Sequence, residues 1–414
     1  MSQAASLAGL CGLCLIAWVS GGCRRIAPRI VLAGLAALLG LAALLLHLPP
    51  LRAGFGLIGR GVEALARATV AGTSLVFGYL GGAPLPFQEV QPGASFILFF
   101  QALPLVLLVG ALSALLYHWR VLPFLVGLLA RGLSRGFGLG GAAGFAVAAN
   151  IFVGMVEAPL LIRAWIAGLT RAELFTVMVA GLATISGNTL VLYATLIAPV
   201  VPDAAGQLLA ASLISAPAAV LAALLMKPPA APSDALPDSA AMAAPRRHGS
   251  SMEALVAGVQ DGLSLLLSIM AMLIVFVALV ELVNMALLPL AGVTLQQIAA
   301  WLFRPLALLM GVPWAEAPVI AQFLGVKLVV NEFVSYLDLA RSGGAGLSER
   351  SRLILTYALC GFTNIGSVGI MLGGLTALCP ERRGEILALG WPSLWAATLA
   401  CCMTGATVGV LIPG

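Results

Sequence analysis

Charge is scarce in this sequence. Lys, Arg, Asp and Glu make up 9% of its 414 residues, against 61% hydrophobic residues, and the mean hydropathy is +1.08. So little polar surface cannot clothe a water-soluble globule, which excludes soluble enzymes and soluble binding modules. Histidine is as sparse, with three in the chain. His47 and His118 end apolar runs and His248 lies in a polar loop, so a proton relay or a His-based metal site has no material. The seven cysteines do not form a framework: Cys11, Cys14, Cys360, Cys401 and Cys402 fall within apolar segments, where they act as small hydrophobes. Cys11 and Cys14 have CxxC spacing, but no second pair and no nearby histidine accompanies them. HExxH, GxSxG and Walker-type loops are also missing, so an enzyme reading has no constellation to stand on.

What is present is apolar length. Windows of about 20 residues predict spans near 4–20, 29–48, 94–118, 172–198, 204–226, 262–288, 350–376 and 385–412, which makes eight crossings. Long continuous runs, rather than alternation at every second residue, predict an all-α integral membrane protein and not a barrel. The run from Ser6 to Val19 has its basic residues after it and no A-x-A site, so it reads as a retained first helix rather than a cleaved signal. Three segments carry charges at helical spacing and predict interfacial helices: LRAGFGLIGRGVEALARATVAG, VLPFLVGLLARGLSRGFG and LQQIAAWLFRPLALL. The stretch KPPAAPSDALPDSAAMAAPRRHGSS is rich in Pro, Ala and Ser and predicts a disordered loop.

The net charge of +5 sits in short loops, so it reports topology and not a nucleic-acid footprint. Arg24, Arg25 and Arg29 follow span one; Arg120, Arg131 and Arg135 follow span three; Lys227, Arg246 and Arg247 follow span five; Arg382 and Arg383 follow span seven. These loops are therefore expected in the cytoplasm, with both termini outside. Arg52, Arg60, Arg67, Arg341, Arg350 and Arg352 count against that orientation.

Two apolar segments, near 141–167 and 314–340, are broken in the middle, the first by Asn150, Gly154, Glu157 and Pro159, the second by Lys327, Asn331 and Glu332. As re-entrant hairpins their arms would be about 10 to 14 residues, too short to span, and their tips would need a wet cavity or protein around them. Each is followed by a similar segment: GLTRAELFTVMVAGLATISG at 168–187 and GLSERSRLILTYALCGFTNIG at 346–366. Thr170 and Ser348 are suited to cap these helices, with Glu173 completing a capping box. Their tails, ATISGNTL and FTNIGSVG, interrupt hydrophobic helices with residues that unwind them. Three predicted crossings separate the hairpins, so the second unit enters from the opposite side, an inverted repeat of the kind that builds transporters.

A glutamate within the bilayer costs about 2.5 to 3.5 kcal/mol on insertion scales. Glu157 and Glu332 are therefore expected to face a polar cavity or partner, as contacts for substrate or coupling ion, with a purely structural network as the bland alternative. Lys327 divides evenly between a bland role, snorkelling or a structural ion pair, and a site role. Asn150, Asn188, Asn331 and Asn364, with Thr184, Ser186, Thr189, Thr363 and Ser367, supply neutral donors and acceptors. Such groups suit an uncharged polyhydroxylated or amide-bearing solute, and oxygen ligands at a helix break suit Na⁺.

At these residues the sequence resembles the concentrative nucleoside transporter family. ANIFVGxxEAPLLI, TRAELFTVM, VKLVVNEFVSYL and TYALCGFTNIGS match its characteristic segments, and the likeness runs over nearly the whole chain. The resemblance implies a homotrimer in the bacterial cytoplasmic (inner) membrane, with a scaffold and a mobile transport domain that move nucleosides inward with Na⁺ or, in some members, H⁺. It implies that Glu332, Asn364 and Ser367 bind the ribose, that Phe362 lines the site, and that Glu157 lies near the nucleobase. It assigns the sodium ligands to Asn150, the carbonyls of Val153 and Ile185, and Thr184, which stands where a serine is common. The family usually has Gln-Thr or Gln-Ser just before the first glutamate; here Met155 and Val156 stand there, which removes two groups that would meet the base. Asn188 and Thr189 are expected to compensate, and the expected outcome is an altered base preference, purine-leaning or broader.

The division that follows is 1–90, N-terminal helices and interfacial helix; 91–120, scaffold helix; 121–203, first transport repeat; 204–226, transmembrane helix; 227–251, cytoplasmic loop; 252–290, scaffold helix; 291–384, second transport repeat; and 385–414, C-terminal transmembrane helix. The expected function is Na⁺-coupled nucleoside import, with the nucleoside and membrane lipid as partners and no nucleic acid. The alternatives are an H⁺-coupled or related ribosyl-compound carrier, and a non-transporting nucleoside receptor.

Overall fold

A computed structural model describes residues 2–89, 95–155, 157–229 and 249–413, and the described residues form helices and no strands. The helices are α1 (Ser2–Ser20), α2 (Pro28–His47), α3 (Pro49–Phe77), α4 (Leu98–Gln101), α5 (Leu105–His118), α6 (Val121–Phe137), α7 (Gly141–Ala149), α8 (Glu157–Leu161), α9 (Arg163–Ile166), α10 (Arg171–Ala183), α11 (Gly187–Ile197) and α12 (Ala204–Met226). After the polar segment come α13 (Ser251–Ala291), α14 (Leu295–Leu309), α15 (Ala317–Val329), α16 (Glu332–Ser342), α17 (Glu349–Leu359), α18 (Ile365–Leu378) and α19 (Arg383–Leu411). The predicted loop at 227–251 falls mostly on residues 230–248, which lie outside the described residues.

Among the described residues, seven helical stretches are long and apolar enough to cross a membrane. They match seven of the eight expected spans; the eighth, 350–376, is two shorter helices, α17 and α18, separated by the unwound residues 360–364. The expected single span at 94–118 is also two helices, because Pro104 lacks the N–H a continuous helix needs and instead starts α5. The amphipathic helices form as expected in α3, α6 and α14. Thr170 and Glu173 make the reciprocal capping box, and Ser348 caps α17.

The order amphipathic helix, helix pair, broken helix, long helix occurs twice: α6 to α12, and α14 to α19. In the second pair, Ser335 Oγ of α16 donates back to Phe323 O of α15 at 2.9 Å, so the two arms lie side by side. The first pair is less regular, with one nine-residue arm and a return arm split into α8 and α9.

Two kinds of surface divide the bundle. Helices α10 and α12 are almost wholly buried, as is the C-terminal half of α19 from Ala396 to Gly409. Arg350 ties this core together, donating to Gly311 O at 2.8 Å, Gly409 O at 2.7 Å and Ser6 Oγ at 2.7 Å. By contrast, only 11% of the most apolar window of α13 is buried, and Ile274, Leu282, Met285 and Leu290 stand exposed. Where α13 meets α5 the backbones touch through glycine: a Cβ on Gly258 would lie 2.6 Å from Gly110 O. Small residues permit this approach where burial of apolar surface supplies no driving force between helices.

Candidate functional site

Each repeat turns its chain with a polar residue at a helix end, and the two turns differ in chemistry. In the second, α15 stops at Val329, and the extended Asn331 accepts Val334 N–H at 2.9 Å to begin α16. Glu332 therefore falls in the first turn of α16, where the helix dipole favours a carboxylate. The side chain is buried yet well partnered: Tyr193 Oη donates to Oε1 at 2.7 Å, and Asn364 Nδ2 donates to Oε2 at 2.8 Å. Asn364 also caps α18, its Oδ1 accepting Ser367 N–H at 2.7 Å. Glu332, Asn364 and Ser367 thus form one network, with Phe362 half-buried in the break beside it.

Tyr193, on α11 of the first repeat, was not among the expected site residues. It joins the repeats through its hydroxyl and packs its ring 4.9 Å from Tyr336 and 5.9 Å from Phe333. A tyrosine inside an apolar helix needs a partner for its O–H when buried, and that was the available signal. The sequence could not say which residue would answer.

In the first repeat, two helix C-termini converge. Asn150 caps α7 and Thr184 caps α10, and Thr184 Oγ1 reaches both Asn150 O at 3.2 Å and Ala180 O at 2.9 Å. Gly187 N donates to Phe152 O at 2.9 Å, which seats the first turn on the break between α10 and α11. The side-chain carboxamide of Asn150 is buried, and neither Oδ1 nor Nδ2 has a hydrogen-bond partner among the described residues. An unmet buried polar group costs about 1 to 3 kcal/mol. Its oxygen, the carbonyls of Val153 and Ile185 and the hydroxyl of Thr184 are neutral donors at the negative ends of two helices, a set suited to a hard monovalent cation. Ile185 O accepts a long bond, 3.4 Å, from Ser212 Oγ. Among the described residues no cluster of three His, Cys, Asp or Glu could hold another kind of metal.

The expected base-side residues are more scattered. Met155 is half-buried against α10, its Cβ 3.3 Å from where a Cβ on Gly181 would stand. Val156 lies outside the described residues. Glu157 is exposed, and its carboxylate folds over Gly154, where any Cβ would collide with it. Asn188 Oδ1 accepts from Ser113 Oγ of α5 at 2.9 Å, and Thr189 Oγ1 pairs with Ser186 Oγ at 2.8 Å. Both expected compensating residues are thus engaged within the protein itself.

The chain matches the family models described as Na⁺ dependent nucleoside transporter C-terminus, over residues 207–409, and N-terminus, over residues 8–80. A third, described as nucleoside recognition, matches residues 99–200. The chain is 36% identical over 390 residues to the uncharacterized transporter YutK of Bacillus subtilis, covering 93% of each. It is 31% identical over 418 residues to the nucleoside permease NupC of Helicobacter pylori, covering 98% of this chain and 97% of the relative. A solved structure of CNTnw in an inward-facing substrate-bound state is similar with a TM-score of 0.89 at 32% identity, covering 98% of both chains.

Proposed function

The chain belongs to the Na⁺-dependent nucleoside transporter family, and on that premise we propose that it imports nucleosides across a bacterial cytoplasmic membrane, coupled to the Na⁺ gradient. The observation that carries the reading is the buried Glu332 carboxylate, held by Tyr193 and Asn364 at the meeting of the two repeats. A carboxylate oxygen accepts strongly from vicinal hydroxyls, so Glu332, Asn364 and Ser367 take the ribose and Phe362 covers a sugar or base face. Coupling follows from the unmet Asn150 carboxamide: Na⁺, as co-substrate, would complete Asn150, Val153, Thr184 and Ile185 and neutralise the two helix ends they cap. That would stiffen the first turn and the broken helix together, and so favour a shaped nucleoside pocket.

Alternating access takes the two inverted repeats, 121–203 and 291–384, as the moving body and 91–120 with 252–290 as the scaffold. Two features support this division. The polar ties across it are few, Ser113 to Asn188 and the Asn284 side chain to Gln296 and Leu295 N–H, and α13 presents a long apolar face that suits lipid and two further copies in a homotrimer. Both termini are taken as outside, from the loop arginines. On the base side, Glu157 stays as the polar contact while Met155 and Val156 replace hydrogen-bonding groups, so recognition of the base is apolar and broader, with Asn188 and Thr189 contributing only on release from their present partners.

Counterflow of several labelled nucleosides in proteoliposomes, with Na⁺ or choline outside, tests this directly. Accumulation that needs Na⁺ and is lost in Glu332→Gln is expected. Equal accumulation in choline, or normal transport by the variant, overturns the coupling or the site respectively.

A further inference from the structure

Lys327 is a buried charge that the proposed nucleoside and ion sites do not use. It lies in the last turn of α15, its side chain is buried, and its ammonium donates to Ala358 O at 2.8 Å, in the last turn of α17. Aligning the two repeats makes that contact informative. Ser186 and Asn364, the caps of the second half-helices, each lie eighteen residues after the paired glycines Gly168 and Gly346, and Ala180 and Ala358 each lie twelve after them. Ala180 O is the last-turn carbonyl that receives Thr184 Oγ1 beside the unmet Asn150 carboxamide. Ala358 O is its counterpart, and it receives an ammonium.

Both repeats therefore bring the C-terminal end of a hairpin arm against the C-terminal end of the first half of a broken helix: α7 with α10, and α15 with α17. Two such ends add their partial negative charges, and a cation between them is favoured in either repeat. The first offers only neutral groups there. The second carries its own positive charge on a flexible stem.

We propose that Lys327 is a tethered cation standing in the second repeat where the first repeat takes a free one, so that the protein binds a single coupling ion. This rests on the reading of Asn150 and Thr184 as an ion site. A small cavity beside the ammonium is lined by Phe303, Leu324, Thr363, Thr398, Cys401 and Cys402. Thr363 and Thr398 would bring oxygens, with Ala358 O, to any ion admitted in place of the amine. Glu332 is five residues on in the chain and within electrostatic range of Lys327, so the charge between the helix ends also bears on the carboxylate proposed to take the ribose.

The experiment compares wild type, Lys327→Gln and Lys327→Arg, reading nucleoside binding by calorimetry and thermal unfolding in NaCl against choline chloride. For wild type and Lys327→Arg the Hill coefficient for Na⁺ is expected near one. In Lys327→Gln it should rise toward two, with nucleoside affinity in choline about tenfold weaker, because the Ala358 carbonyl and the two helix ends lose their counter-charge beside the site. Na⁺ should also raise the unfolding temperature of Lys327→Gln more than that of wild type. An unchanged Na⁺ dependence in Lys327→Gln, or a folded variant whose lost binding Na⁺ does not restore, overturns the proposal. If Lys327→Gln does not fold in choline, recovery in NaCl supports the proposal, and failure in both overturns it. Wild-type binding independent of Na⁺ would overturn the ion site of the first repeat, while a Na⁺ requirement newly gained by Lys327→Gln would still uphold the role of Lys327.

Discussion

The two hairpin turns do the same architectural job with opposite electrostatics. The turn at Asn331 and Glu332 is complete in itself: a capping asparagine, a carboxylate with two donors, and a lysine on the neighbouring helix end. The turn at Asn150 is incomplete, with a buried amide that meets nothing among the described residues and two helix ends without a counter-charge. A satisfied polar network holds one shape, whereas an unsatisfied one is a place for a ligand to act. The difference teaches where energy from the ion gradient would enter the protein, and where substrate would be read.

The strongest way to break this comparison is Glu332→Gln. Losing the charge leaves the Tyr193 hydroxyl and the Asn364 amide facing a group that no longer accepts from both and from ribose, so uptake and calorimetric affinity for nucleosides should fall by about a hundredfold or more. Wild-type affinity would remove Glu332 from the site. Asn150→Ala probes the other turn. The half-saturating Na⁺ concentration should rise about tenfold, yet thermal stability in choline should hold or increase, since an unmet buried amide has been removed. A drop in stability there would mean that the amide is structurally satisfied, and the contrast between the turns would collapse.

Tyr193→Phe deletes one donor and keeps the ring stacked on Tyr336. Nucleoside affinity should weaken about five- to tenfold with the Na⁺ dependence unchanged, since the hydroxyl belongs to the second turn and not the first. A shift in Na⁺ response would instead tie the turns together through α11. The smallest effect is expected from restoring polar groups on the base side. Met155→Gln combined with Val156→Thr should alter the ratio of affinities between nucleosides by about threefold to tenfold while leaving ribose-side contacts alone. A competition panel reads this ratio, and an unchanged one would show that the base is recognised elsewhere.

Much of the architecture was legible because membrane insertion writes it in composition. Long apolar windows, Pro and Gly at the breaks and caps such as Thr170 with Glu173 act locally, within a few residues, and their structural consequences are visible in the helices. Pro104 divides the run at 94–118, where hydropathy alone predicts a single span. On the site side, the polar residues at the breaks stood out as costly within apolar segments, which is why Glu332, Asn364 and Asn150 could be singled out. Tyr193 and Ser113 could not be, because nothing near them in sequence reveals a partner 139 or 75 positions away.

What the sequence determined by itself was the inventory: an all-helical membrane chain, two polar turns, two broken helices and their order, each set by hydropathy and backbone chemistry acting over short distances. What tertiary structure decided was who answers whom. Glu332 is met by Tyr193 and Asn364, the Asn150 carboxamide by no described group, and Lys327 by the carbonyl of Ala358. These pairings depend on how separate helix ends are brought face to face. Dipoles, unmet hydrogen bonds and buried charges have an effect only once that packing has excluded water from between them.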